Sequence, residues 1–400
     1  MKNKIIIFGL AAMIAFTIVP LRVVHAKEEV VVEEIDSVDE LIVEEPIELS
    51  LEKAVEYALE NSLDMKVIRS ALDVAEIVYE DDIRGIRDIE RNPGVLYERV
   101  PESGFMRVDD ASVQKRLVEN GSMRRGVEFT FNRAQWDVEA KQNQVKYNVE
   151  KAYFDLLQME KEQEIARENL ELAQKQYDHG KLRFDLGMIS QQQLLGLEFN
   201  LSQAQSGYDS AMMYNEMQRM SFRNTLGMPF GEEFALTDSI QLREYDEIDL
   251  EGSIKSALEE NLAVIMSKEN YELTQLMLEA VAVKYPDITY RYRTQAAEVV
   301  KAEQSYIQTK NGIEMMVRSS VLNLETAEKQ IATFEKAVYQ ASEGVRIAEL
   351  SFELGQNTAT EVAQANLNLM NAKKNLAQQI HAFNMALLDY KYSIGIGKGF

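Results

Sequence analysis

The chain has 400 residues, a formal net charge of −23 and no cysteine. The missing cysteine excludes disulfides, thiolate metal sites, a cysteine nucleophile and a lipidated cysteine. The acidic balance argues against nucleic acid or anionic lipid as a partner, and suits either a solvated helical surface or the lumen of a cation-favouring conduit.

Residues 1–26 read as a secretory signal peptide: Lys2 and Lys4 open it, Ile5 to Val19 is apolar, and Val24-His25-Ala26 is a small-residue cleavage site. The alternative is an uncleaved anchor, but a run of about 15 residues is short beside the roughly 20 that span a bilayer. Cleavage removes Lys2, Lys4 and Arg22 and leaves a mature chain of charge −26 with no other run of membrane-spanning length. Residues 27–48 follow as an acidic leader, in which 28–48 hold ten Asp or Glu from Glu28 to Glu48 and no Lys or Arg; like-charge repulsion predicts disorder here.

From residue 49 the chain repeats itself. Leu51 to Leu63 matches Leu250 to Leu262 at six of 13 positions with an offset of 199. Leu182 to Ser190 matches Leu350 to Thr358 at an offset of 168, which also carries Leu226-Gly227 onto Ile394-Gly395. The first copy is therefore 31 residues longer than the second, all of them between its first helix and its long helix.

The second offset holds along a heptad seam. Val149, Ala152, Leu156, Met159, Gln163, Ala166, Leu170, Ala173, Tyr177, Gly180 and Phe184 correspond to Val317, Ser320, Leu324, Ala327, Ile331, Phe334, Val338, Ala341, Val345, Ala348 and Phe352. A 3.5-residue apolar period of this length is a coiled-coil signature, and its small residues let helices approach closely. The spacing predicts helices near 51–82, 127–186 and 190–226 in the first copy, and near 251–284, 294–354 and 359–393 in the second. The two shorter helices of each copy together match the long one, so they can stack end to end along it. The fold expected is dominated by α-helix: two tandem coiled-coil hairpin repeats at 49–229 and 249–396, joined by a linker at 230–248. A rod of this kind has little interior, so its apolar flank calls for oligomerisation.

Four features in this order resemble the TolC family of outer-membrane efflux proteins: the Leu-Glu-x-Ala opening at Leu51 to Asn61, Ala-Tyr-Phe-x-Leu-Leu at Ala152 to Leu157, the Phe184-x-x-Gly187-x-x-Ser190 turn, and the closing Leu226-Gly227. The resemblance covers about residues 49–396. It implies a homotrimer closing into a hollow α-helical barrel, with substrates leaving passively through the lumen. It implies partners as well: a periplasmic adaptor (membrane fusion) protein and an inner-membrane pump. The adaptor-docking tips would be Leu186, Gly187, Met188, Ile189 and Ser190 with Leu354, Gly355, Gln356, Asn357 and Thr358. Glycine at 187 and 355 suits a left-handed helix end, and Ser190 and Thr358 suit N-caps. The family's acidic constriction maps onto Glu361, Gln364 and Gln193, with Asn357 where a basic residue is expected.

The resemblance also implies four membrane β-strands per protomer, lying between the first helix and the long helix of each copy. Here the second copy offers only Tyr285 to Thr294, too short for two spanning strands. The first offers Arg84 to Gly126, with 16 charged residues and no alternating pattern, and Gly126 to Phe131 reads as one remnant strand. The barrel strands are thus expected to be reduced or absent, and insertion in an outer membrane is in question.

No enzyme chemistry is expected, and no cofactor. His179 and His381 form no zinc motif and read as solvated helix residues, and carboxylate pairs read as exposed faces and intrahelical pairs. Gly395-Ile-Gly397-Lys-Gly399-Phe400 has no following helix to hold phosphate and reads as a frayed end. The function expected is a TolC-like conduit of an efflux or type I-like secretion system; the alternative is an envelope coiled-coil scaffold or adaptor-docking protein without a membrane pore.

Overall fold

The computed structural model describes residues 46–91 and 111–398, with side chains from residue 115 onward in the second span. The signal peptide, the acidic leader up to Glu45, the stretch 92–110 and the final Gly399-Phe400 lie outside the described residues.

The first repeat begins with a short strand, β1 (Ile47–Leu49), then α1 (Leu51–Asn61) and α2 (Leu63–Arg91). After α3 (Ala111–Glu119) comes the long helix α4 (Ser122–Asp185), and α5 (Gln191–Leu226) returns antiparallel to it. The linker carries β2 (Phe234–Leu236). The second repeat is α6 (Leu250–Glu260), α7 (Leu262–Ala282), α8 (Tyr290–Glu353) and α9 (Ala359–Lys391). The two long helices have 64 residues each, about 96 Å at 1.5 Å rise. Every seam position from Val149 to Gly180, and from Val317 to Phe352, is buried or half-buried, and only Phe184 reaches the surface.

The first helix of each copy is broken, where the sequence predicted one unbroken helix. Ser62 has φ −61 and ψ 141; it closes α1 through its backbone N–H on the Ala58 carbonyl and caps α2 by accepting from the Met65 N–H. Asn261 does the same between α6 and α7, accepting from the Ala263 N–H at 3.0 Å. A polar residue that can cap on both sides lets the chain bend without proline or glycine. The bend receives the end of the return helix. Gly227 has φ 73, and a Cβ there would stand 2.9 Å from the Asn61 carbonyl oxygen, so α5 ends against the α1–α2 joint. Gly395 and Gly397, with φ 61 and 88, carry the chain end back in the same way. The Gly397 carbonyl accepts from Asn143 and the Ile396 carbonyl from the Leu262 N–H, so residues 395–398 are docked rather than frayed.

The main core lies at mid-length, where β1 pairs in parallel with β2, Ile47 opposite Phe234. Leu49, Ala54, Ala58, Met65, Val149, Tyr153, Leu156, Phe222, Leu226 and Phe234 close around it. The Tyr153 hydroxyl donates to the Leu49 carbonyl and to Asp238, and burial followed by Asp238 pushes its ionisation up. Arg219 lies over the Phe234 ring, 4.2 Å from its centroid. This two-stranded pair is the sheet among the described residues.

The remnant strand expected at 126–131 is helix. These residues belong to α4, and Phe131 stacks on Tyr79 of α2 at 4.7 Å, a packing that overrides the local β preference. In the second copy, residues 283–289 form a seven-residue turn between α7 and α8. Among the described residues, no strand lies between the first helices and the long helix of either copy, and no helix is long and apolar enough to cross a membrane.

Candidate functional site at the hairpin tips

Both hairpins turn at the same end of the bundle by the same hydrogen bonds. In the first, the Gly187 N–H donates to the Phe184 carbonyl at 2.8 Å and the Met188 N–H to the Arg183 carbonyl at 2.8 Å. In the second, Gly355 donates to Phe352 at 3.0 Å and Gln356 to Ser351 at 2.8 Å. Gly187 and Gly355 have φ 69 and 72, the left-handed region where a side chain would be strained. Ser190 and Thr358 cap the return helices, as their position in the turn predicts.

The three residues expected at a constriction fall on the first turns of the return helices. Gln193 accepts from the Ser190 N–H at 2.9 Å, and Glu361 accepts from the Thr358 N–H, so each completes a reciprocal capping box. The Thr358 backbone N–H, then its hydroxyl, hold the Glu361 carboxyl below the usual range. Gln364 is exposed and donates to Asn368 at 3.1 Å. Leu186, Met188 and Leu354 are each about two-thirds exposed, at 67, 66 and 66%. Ile189 is half-buried, near the α4–α5 contact at Gly180.

That contact is tight. A Cβ on Gly180 would stand 2.2 Å from Leu197 Cδ1. Their repeat-mates are Ala348 and Ala365, so bulk is shared across the helix pair in the second hairpin and placed wholly on α5 in the first. Further from the tip, Ala173 borders a cleft of about 360 Å³ between α4, α5 and α9.

The hairpins are joined along α4 and α9 by pairs that the sequence reading missed. Glu150 takes Lys391 at 2.8 Å and the Tyr392 hydroxyl at 2.8 Å; Asp155 takes His381 at 2.7 Å; Glu162 takes Lys374 at 2.8 Å; Glu168 takes Lys373 at 2.6 Å. His381 is therefore a half-buried partner rather than a solvated residue, whereas His179 is exposed. Burial pushes Asp155 and Glu162 up, but hydrogen bonds outweigh it: His381 and Lys151 on the first, Lys374 and two glutamine amides on the second, so both end below their ordinary values. Partners more than 200 residues apart leave no local spacing to read. The signal available was four acids on one face of α4 opposite cations on α9.

No known family profile matches the chain. Two curated relatives do, each an outer membrane protein TolC. That of Vibrio cholerae is 20% identical over 298 residues, 62% of this chain and 66% of the relative. That of Salmonella enteritidis is 26% identical over 106 residues, 26% of this chain and 20% of the relative. The matches thus span less than two thirds of either relative's length. Solved structures extend the likeness. The Campylobacter jejuni CmeC outer membrane channel gives a TM-score of 0.64 at 15% identity, over 88% of this chain and 86% of that one. The Vibrio cholerae outer membrane protein VceC gives 0.66 at 13%, over 87% and 96%.

The chain is TolC-like in sequence and in fold.

A third solved structure, the open state of the Neisseria gonorrhoeae MtrE outer membrane channel, aligns with a TM-score of 0.62 at 12% identity, over 87% of this chain and 89% of that one. Of the three, CmeC and MtrE are named as outer membrane channels and VceC as an outer membrane protein.

Proposed function

We propose that this TolC-like chain is a conduit component of an efflux or type I-like secretion system in the cell envelope. It acts as a homotrimer whose helices enclose a lumen, and substrates pass without chemistry. The observation that carries this reading is the pairing of two hairpins with a common tip and an unburied apolar flank. Phe199, Met212, Met213, Tyr214 and Met217 of α5 are all exposed, apolar side chains that a neighbouring copy would cover. Curated relatives named as outer membrane proteins support the location. The tip residues Leu186, Met188 and Leu354 are the proposed contact with a periplasmic adaptor, itself coupled to an inner-membrane pump, and Glu361, Gln364 and Gln193 are the proposed constriction.

Particle images of the purified protein test the reading. Hollow three-fold cylinders are expected; a solid or elongated dimer would favour the scaffold reading. That second reading draws on one observation, the seven-residue turn at 283–289, which leaves no room for a membrane hairpin in the second repeat. Adaptor docking is tested separately: Met188→Asp with Leu354→Asp should abolish adaptor crosslinking at unchanged helix content, and undiminished crosslinking removes the docking surface from the tips.

A further inference from the structure

We infer that the cleft between α4, α5 and α9 binds a neutral, unbranched amphiphile whose head group both donates and accepts hydrogen bonds, as a primary amide does.

Facing stripes of three helices line this cleft. On α9 the stripe is Ala363, Asn366, Leu367, Met370 and Lys374, one helical face at spacings of three and four. On α4 it runs from Met159 to Gln176, about 25 Å at 1.5 Å per residue. The helices do not close on one another because small side chains stand where they face: Ala166 and Ala173 on α4, Ala204, Gly207 and Ala211 on α5, and Ala363 on α9. Coiled-coil packing alone does not require this. The repeat-mates of Ala166, Gly207 and Ala211 are Phe334, Asn375 and Gln379, so the second hairpin carries larger side chains at the same places. The opening left beside the first is about 360 Å³, within the roughly 300–1,000 Å³ of small-molecule sites.

Asn366 defines what the occupant must offer. It is 6% exposed, and among the described residues neither its amide nitrogen nor its amide oxygen has a hydrogen-bond partner. Gln176, on the α4 wall, likewise has an amide nitrogen without one. A buried carboxamide with both functions idle is destabilising, and such groups are normally satisfied. An oxygen that needs a donor and a nitrogen that needs an acceptor are answered together by a single amide. A carboxylate head serves less well, because it cannot donate to the Asn366 oxygen and would carry an unpaired charge into the cleft. The rest of the lining sets the body of the ligand. Met159, Ile165, Leu172, Leu367 and Met370 supply apolar wall. The charged residues that line the cleft are Glu162 and Lys374, which neutralise each other at 2.8 Å, so nothing there calls for an ion. A slot this long and this small in volume takes a single chain rather than a ring system. It is built within one chain, so it exists whether or not copies enclose a lumen.

The test uses the full exported chain, held free of detergent because detergent would compete for the cleft. Calorimetric titration compares decanamide with N,N-dimethyldecanamide, which accepts but cannot donate, and with decanoate, which is charged. Decanamide should bind saturably, about three- to tenfold more tightly than its dimethyl derivative, the worth of one buried hydrogen bond. Decanoate should bind more weakly than decanamide. Asn366→Ala should erase the difference between the two amides. Ala166→Phe and Gly207→Asn, which install the side chains of the second hairpin, should each abolish binding at unchanged helix content. A lack of saturable decanamide binding, equal binding of all three compounds, a difference that survives Asn366→Ala, or binding untouched by both filling substitutions would each overturn the inference. So would a structure of the assembled protein with decanamide present in which only ordered water or a neighbouring copy meets Asn366.

Discussion

Arg183 of the first hairpin lies over the ring of Phe352 in the second, its guanidinium carbon 4.7 Å from the ring centroid. Phe352 is the repeat-mate of Phe184, which stands at the surface. One phenylalanine of the pair thus receives its cation from the neighbouring hairpin within the chain, and the two tips are tied together where the bundle ends. Such a contact contributes about 0.5–1 kcal/mol at a partly exposed site. Arg183→Ala should therefore free the tips locally, with faster amide exchange at 182–190 and 350–358 and little change in the global melting temperature. Unchanged exchange at both tips would show that the contact does not hold them.

The α4–α9 pairs make the junction between hairpins acid-sensitive. Asp155 and Glu162 have folded-state values below their unfolded ones, so the unfolded chain binds more protons as pH falls. Their contribution is fully present above the ordinary carboxylate range of about 4, and is lost as pH falls through the lowered folded values. Denaturant unfolding should show a plateau for these groups from neutral pH to about 5 and a decline below about 4. Asp155→Asn should lower the plateau and make the acid decline shallower; an unaltered pH dependence would remove Asp155 from the account.

Below the tip, Gly180 and Leu197 share one space. Gly180→Ala alone should cost about 1–3 kcal/mol through overpacking, since Leu197 must move. Gly180→Ala with Leu197→Ala reproduces the Ala348–Ala365 pair of the second hairpin and should recover part of that loss. Chemical denaturation of the double-mutant cycle measures it, and strictly additive costs would contradict the steric explanation.

Glu361 has two separable roles, cap and charge. Gln193 performs the same cap in the first hairpin without a charge. Glu361→Gln should preserve the helix start and its stability while altering cation preference in dye passage through the assembled protein. Glu361→Ala should lose the side chain's half of the box as well and loosen the start of α9. If Glu361→Gln leaves both rate and cation preference unaltered, the carboxylate takes no part in a constriction.

Much of this fold was legible because its signals are periodic or local. The heptads from Val149 and Val317 announce the long helices, and Gly187 with Ser190 and Gly355 with Thr358 announce where they turn. The capping boxes were equally local: Ser190 and Gln193, like Thr358 and Glu361, stand three apart, yet the glutamine and glutamate were read only as lumen residues. Other features depend on distance. The breaks at Ser62 and Asn261 interrupt no apolar period, and their polar residues become caps only once α5 and the chain end dock there. Strands of three residues carry no readable alternation. Val127, Phe129 and Phe131 alternate like a strand, but packing against Tyr79 decides for helix. Asp155 and His381 meet across 226 residues, beyond any spacing rule.

The pairing of β1 with β2 has a consequence for the order in which the molecule assembles. Each helical hairpin closes on contacts between neighbours in sequence, so it can form as soon as its own two arms are available. The strand pair cannot. Ile47 waits for Glu233, whose carbonyl its N–H reaches at 2.9 Å, and Thr237 closes the other end on the Leu49 carbonyl at 3.1 Å. The strand at the start of the first repeat is thus clasped only after the first hairpin has folded back and the linker has passed across it. Pulse-labelled amide exchange during refolding should find Ile47 and Thr237 protected after the interiors of α4 and α5. Simultaneous or earlier protection would show that the clasp forms first. The strand pair at mid-length is then a late fastening, and the hairpin arms are ordered before β1 is tied in.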